Sequence, residues 1–195
     1  MDQDKKLRDL ITQKKGRKEK LTVTLDYSVH HKGNPPDEMK IAEWAQKGLI
    51  EVRDTQATRQ ELKRADPRVK ELLETKMEHY PKLMPRRPAM FNMVAFNEAA
   101  FNDSGTTRDG RHIGEIAEQF QEVMFPDFDR LRGRTKRNAY YDVLHMACHY
   151  VFNRDVFLTR NLRHFEKVLA KHPDIVIASP EKFTEISKDC FEGAE

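Results

Sequence analysis

Four positions from distant parts of the chain carry side chains that could work together. Asp26 directly follows the apolar, β-branched run LTVTL at 21–25, and Thr159, Arg160 and Asn161 follow the run VFL in the same way. Glu61 lies in the helical stretch after LIEV (49–52), and Asp142 opens the helical stretch that leads into VFLT (156–159). In open parallel sheets functional groups gather beyond the carboxyl ends of the strands, so these positions are expected at one edge. Three clustered carboxylates repel, and without a cation or basic partners at least one should hold its proton more tightly than usual. Asp142, His145 and His149 also fall at i, i+3 and i+7, on one face of a helix. That spacing suits a metal face, but no Cys or His cluster elsewhere completes a zinc set, and His145 reads better as an orienting or packed residue.

Each acid has a plainer reading. Asp26 can cap the segment after its strand, and Asp142 can be an N-terminal helix residue favoured by the macrodipole. Glu61 stands three residues after Thr58, the T-x-x-E spacing of a capping box, and Glu98 is the alternative for its place in the site. His30 and His31 follow Asp26 closely, but a solvated loop pair is the simpler expectation.

The elements that must position these residues follow from patterning. LTVTL is apolar or β-branched throughout, which suits a strand buried on both faces. LIEV, VFLT and IVIAS (175–179) are further strands. Helices are expected over 37–47, ended by Gly48, over 58–65 up to Pro67, and over 68–80, 115–124, 138–152 and 162–171. PKLMPRRPAM reads as a turn or extended connection, 90–96 as a short strand or the opening of a helix, and 102–114 as a loop. The order strand, helices, strand, helices, strand, helix, strand argues for a parallel sheet covered on both faces. The expected fold is therefore a three-layer α/β/α sandwich around a mainly parallel sheet, with a basic, flexible N-terminal tail at 1–20, a domain at 21–183 and a C-terminal tail at 184–195.

Charge narrows the partner only by its distribution. The net charge is +3, too mild to decide anything, but 5–20 and 130–137 are basic and either run could meet phosphate. Two cysteines, Cys148 and Cys190, make no disulfide framework, and Cys148 lies on an apolar helical stripe as a buried small residue. No long apolar run suggests a membrane helix or a signal peptide, so a cytoplasmic protein without membrane contact is expected.

The motifs themselves carry a resemblance. YDVLHMACHYVFNRDVFLTRNLRHF resembles the late motif of PIN-domain proteins, with Asp142, His145 and Ala147 on one helix and a strand ending at Thr159 before Asn161 and Phe165. TLDYSV resembles that family's first strand with its Asp at Asp26, GLIEVRDTQATRQELKRA the strand and helix bearing its Glu at Glu61, and IVIASPEKF its closing strand. The likeness covers roughly 21–65 and 138–183, and the middle at about 66–137 is longer than a compact member needs. It implies a PIN-like fold and a metal-dependent nuclease, most often a ribonuclease, some members being toxins paired with antitoxins. It also implies that Asp26, Glu61 and Asp142, with Asn161 at the place of a fourth acid, hold Mg²⁺ or Mn²⁺. RNA is then the expected substrate, with DNA open, and a cognate antitoxin, another protein or a second copy of the chain as partner.

Asn161 departs from the family pattern. An amide offers a neutral carbonyl oxygen, and one charge fewer weakens a second metal more than a first. The alternative function is a binding or scaffold module with weakened catalysis. Other chemistries find no support: there is no G-x-x-x-x-G-K-[ST] loop, no G-x-G-x-x-G after a strand and no G-x-S-x-G elbow.

Overall fold

The computed structural model of the chain describes residues 2–31, 35–53, 55–80 and 113–192. Its sheet has four strands, β1 (Leu21–Leu25), β2 (Ile50–Arg53), β3 (Val156–Leu158) and β4 (Ile177–Ala178), in the order β2-β1-β3-β4. All three pairings are parallel. The helices among the described residues are α1 (Gln3–Gly16), α2 (Tyr27–His31), α3 (Pro35–Gln46), α4 (Gln56–Arg64), α5 (Pro67–Met77), α6 (Ile113–Met124), α7 (Gly133–Val151), α8 (Leu162–Lys171) and α9 (Pro180–Glu192).

Alternation along the strands sorts the core into two layers. Leu21, Val23 and Leu25 of β1, with Val156 and Leu158 of β3, pack with Ile41, Trp44, Phe183 and Ile186 from α3 and α9. On the opposite face Phe157 and Ile177 meet Phe120, Leu144, Phe165 and Val168 from α6, α7 and α8. The α/β architecture with helices on both faces is thus as expected. Gly48 ends α3 at φ +71, where the amides of Gly48 and Leu49 turn back onto Ala45 and Trp44. That left-handed conformation favours glycine.

Among the described residues both expected tails are largely helix instead. In α1, Leu7 and Ile11, one turn apart, are each 1% exposed, and burying two such side chains contributes about 1.5–3 kcal/mol each. Three lysines of this run are engaged within the molecule: Lys6 reaches the Pro173 carbonyl, Lys14 pairs with Glu19 and Asp155, and Lys15 reaches the Cys190 carbonyl. The C-terminal stretch from 184 is likewise the body of α9, with Ile186 and Ser187 buried and Thr184 Oγ1 donating to Asp37 Oδ1 at 2.9 Å. The expected loop at His30 is also helix. His30 is buried, its Nδ1 2.7 Å from Glu38 Oε1, and Lys76 Nζ of α5 donates to Glu38 Oε2 at 2.7 Å and to the His30 carbonyl at 2.9 Å. This network ties α2, and so the segment after Asp26, to α3 and α5. The expectations for 81–112, Glu98 among them, lie outside the described residues.

Candidate active site

Asp26 extends the β1–β3 ladder by one step, its amide donating to the Leu158 carbonyl at 2.9 Å. Its side chain, almost fully buried, accepts on Oδ2 from Ser28 Oγ at 2.5 Å and from Thr159 Oγ1 at 2.7 Å. The two hydroxyls are themselves held, because Ser28 Oγ accepts from the Arg160 amide and Thr159 Oγ1 from the Asn161 amide, both at 3.0 Å. The residues after β1 and β3 therefore lock one another, which fixes the carboxylate at the carboxyl edge of the sheet.

Glu61 arrives from α4. Thr55 caps that helix, accepting from the Thr58 amide, so the capping box suggested by Thr58 and Glu61 does not form and Glu61 is left to face the site. Its Oε2 lies 2.9 Å from His145 Nε2, and the same nitrogen is 3.7 Å from Asp26 Oδ1. The other ring nitrogen, Nδ1, stands 2.7 Å from Thr55 Oγ1. Burial alone would lower the pKa of His145, but the hydrogen bond and charge of Glu61, with Asp26 and Asp142, outweigh it and push it up to about 9. A doubly protonated ring satisfies this geometry, donating to Thr55 on one side and to Glu61 on the other.

Asp142 stands one turn before His145 on α7. Its Oδ2 is 2.7 Å from His164 Nδ1 in the first turn of α8, and Asn161 Nδ2 is 2.7 Å from the same ring nitrogen. Burial raises the Asp142 pKa against the His164 hydrogen bond, and the Asp26 charge raises it further. Glu61 is raised too, by burial first and then by Asp26 and Asp142, against the pull of His145. Burial thus raises Glu61 and Asp142, while the carboxylates together raise His145 against its own burial.

All four expected residues, Asp26, Glu61, Asp142 and Asn161, line one cavity of ≈ 660 Å³. The same cavity is lined by Arg64 from α4, Arg134 and Arg137 from α7, and His164 from α8. Tyr27 and Tyr141 line it as well: burial raises both pKa values, and the Glu61 charge adds to this while arginines oppose it. The donor set of three carboxylates and one amide is chemically suited to a hard divalent cation. Among the described residues no group of three or more His, Cys, Asp or Glu side chains stands ready to hold a metal ion; each carboxylate has a hydroxyl or imidazole partner.

The basic run at 130–137 divides. Arg134 and Arg137 line the cavity, whereas Arg130 pairs with Asp127, Arg132 donates to main-chain carbonyls, and Lys136 pairs with Asp129 and lies over the Phe128 ring. Arg160 turns to Glu181 instead, and its buried Nε and Nη2 have no hydrogen-bond partner among the described residues. His149 faces away from the acids, its Nδ1 3.0 Å from Thr24 Oγ1, which removes it from any metal face. Arg64 and His164 were not anticipated, although each stands three residues after a recognised position, Glu61 and Asn161, and such neighbours share a helix face.

Comparison with known proteins brings no relative to bear: no protein-family model matches the chain, and no curated protein or solved structure matches it significantly. No described helix is long and apolar enough to cross a membrane.

Proposed function

We propose that the chain is a PIN-like, metal-dependent endonuclease acting on RNA. The observation that carries this reading is the convergence of Asp26, Glu61, Asp142 and Asn161, from separate elements, on one cavity that Arg64, Arg134 and Arg137 also line. Asp26, Glu61, Asp142 and the Asn161 carbonyl oxygen would hold Mg²⁺ or Mn²⁺. Such a cation, when bound, lowers the pKa of water and offsets charge on phosphoryl oxygens. Ser28 and Thr159 keep Asp26 aimed, and His145 offsets part of the carboxylate repulsion from beneath. Arg64, Arg134 and Arg137 bind the phosphates on either side of the scissile bond, where a guanidinium fork matches phosphate oxygens. With Asn161 neutral, the set suits one cation better than two.

Incubation of the purified chain with mixed RNA and Mn²⁺, against an EDTA control, tests this directly. Cleavage that requires the cation is expected. RNA that is bound but never cut, at any metal concentration, would leave the weakened binding module in its place.

A further inference from the structure

The two histidines that hold the acids are built differently. His145 is fully buried in α7 and held at both ring nitrogens, so it cannot leave without unpacking the helix. His164 has a side chain 42% exposed. Only its Nδ1 is engaged by described residues, with the edge of the ring against Phe125, centroids 5.4 Å apart. Helix α8 does not depend on the imidazole: the His164 amide bonds to the Asn161 carbonyl at 3.1 Å, and Phe165 and Val168 anchor the helix in the core.

The Nδ1 contacts are over-committed. Asp142 Oδ2 only accepts, so the ring must present a proton to it, yet Asn161 Nδ2 lies 2.7 Å from the same nitrogen and is itself a donor. The conflict resolves if the Asn161 amide turns over, an exchange of near-identical shape. One N–H is then shared between Asp142 Oδ2 and Asn161 Oδ1. Those are two of the oxygens that the proposed site offers to a cation, so ring and cation compete for them.

We infer that His164 is a latch on the metal site, closing Asp142 and Asn161 onto itself without a cation and releasing them when one binds. This rests on the reading of Asp142 and Asn161 as ligands. A latch of this kind lowers apparent affinity by the share of time it is closed. It therefore sets the metal concentration at which the site fills.

The test is calorimetric titration of MnCl₂ into the full chain, as wild type, His164→Ala, His164→Gln and Asp142→Asn. His164→Ala should bind Mn²⁺ about tenfold more tightly, the scale of one hydrogen bond to a carboxylate, and His164→Gln, which keeps a donor, should fall between. In wild-type protein labelled with ¹⁵N-histidine, saturation with Mg²⁺ should also move the His164 Nδ1 resonance, a readout that needs no variant to fold. Unchanged or weaker Mn²⁺ binding in His164→Ala, or an unmoved resonance, overturns the latch. If wild type binds and Asp142→Asn does not while His164→Ala equals wild type, the latch fails and the metal site stands. Absence of binding in every form removes both.

Discussion

Two aspartates flank the β1–β3 pair, one at each edge of the sheet. At the amino edge Asp155 Oδ2 accepts from the amide and hydroxyl of Thr22, both at 2.7 Å. At the carboxyl edge Asp26 Oδ2 accepts from two hydroxyls, at 2.5 and 2.7 Å. The second oxygen tells them apart. Asp155 Oδ1 is closed by Lys14 at 3.1 Å, while Asp26 Oδ1 looks towards His145 at 3.7 Å and lines the cavity shared with Glu61 and Asp142. One carboxylate is matched to a fixed cation and joins α1 to the sheet. The other is held rigid on one side by hydroxyls, and on the other shares the His145 ring with Glu61, beside like charges. Positioning with only shared neutralisation is what the proposed role of Asp26 requires and what Asp155 lacks.

The largest expected effect breaks that comparison outright. Asp26→Asn or Asp142→Asn should lower metal-dependent RNA cleavage by more than about a hundredfold, beyond the ~10–100-fold that the supporting partners of a metal ligand are worth. Asp155→Asn should leave the cleavage rate alone and lower stability by about 1 kcal/mol, the size of a partly screened ion pair, read by urea denaturation. Full activity in Asp142→Asn would remove the assignment.

Next in size is the restored acid. Asn161→Asp should tighten Mn²⁺ binding about tenfold and lower the metal-free melting temperature, because a fourth carboxylate joins three that already repel. Saturating metal should recover the melting temperature. An unchanged melting temperature without metal would separate residue 161 from the cluster.

The cavity arginines give a smaller, graded effect. Each of Arg64→Gln, Arg134→Gln and Arg137→Gln should reduce the slope of log K for RNA against log salt by ~0.7, and Arg130→Gln should not, since that side chain pairs with Asp127 outside the cavity. Equal losses at Arg130 and Arg134 would return the whole run to non-specific attraction.

The last effect bears on stability and leaves the cavity untouched: it concerns His149, one turn beyond His145 on α7. Burial, with Arg154 beside it, holds the pKa of His149 down at about 3, against ~6.5 in an unfolded chain. The unfolded chain therefore takes up this proton first. Its contribution to stability is whole above pH ~6.5 and is lost as pH falls towards about 3, by up to about 1.4 kcal/mol per pH unit. His149→Gln should flatten that dependence in urea melts between about pH 6 and 4. Superimposable slopes would contradict it.

Much of this arrangement was legible beforehand. The run at 21–25 is β1 as printed in its residue types, and β2, β3 and β4 fall within a residue or two of LIEV, VFLT and IVIAS, because buried parallel strands read as short apolar runs. Strand ends then located Asp26 and Asn161. The helices at the two ends escaped, since α1 shows little beyond Leu7, Leu10 and Ile11 among its charges and is held by tertiary packing rather than by composition. Arg64 and His164 escaped for another reason: their importance lies in which cavity they share, and helix phase relative to a distant strand cannot be read locally. Thr55 is similar, a cap whose hydroxyl also meets His145 from 90 positions away in sequence.

The most direct measurement is titration of Mn²⁺ into wild type, Asp26→Asn and Asp155→Asn, followed by calorimetry under identical conditions. The expected result is saturable binding in wild type and Asp155→Asn, and its loss in Asp26→Asn. Equal binding in all three, or none in wild type, would contradict a metal site at the carboxyl edge of the sheet.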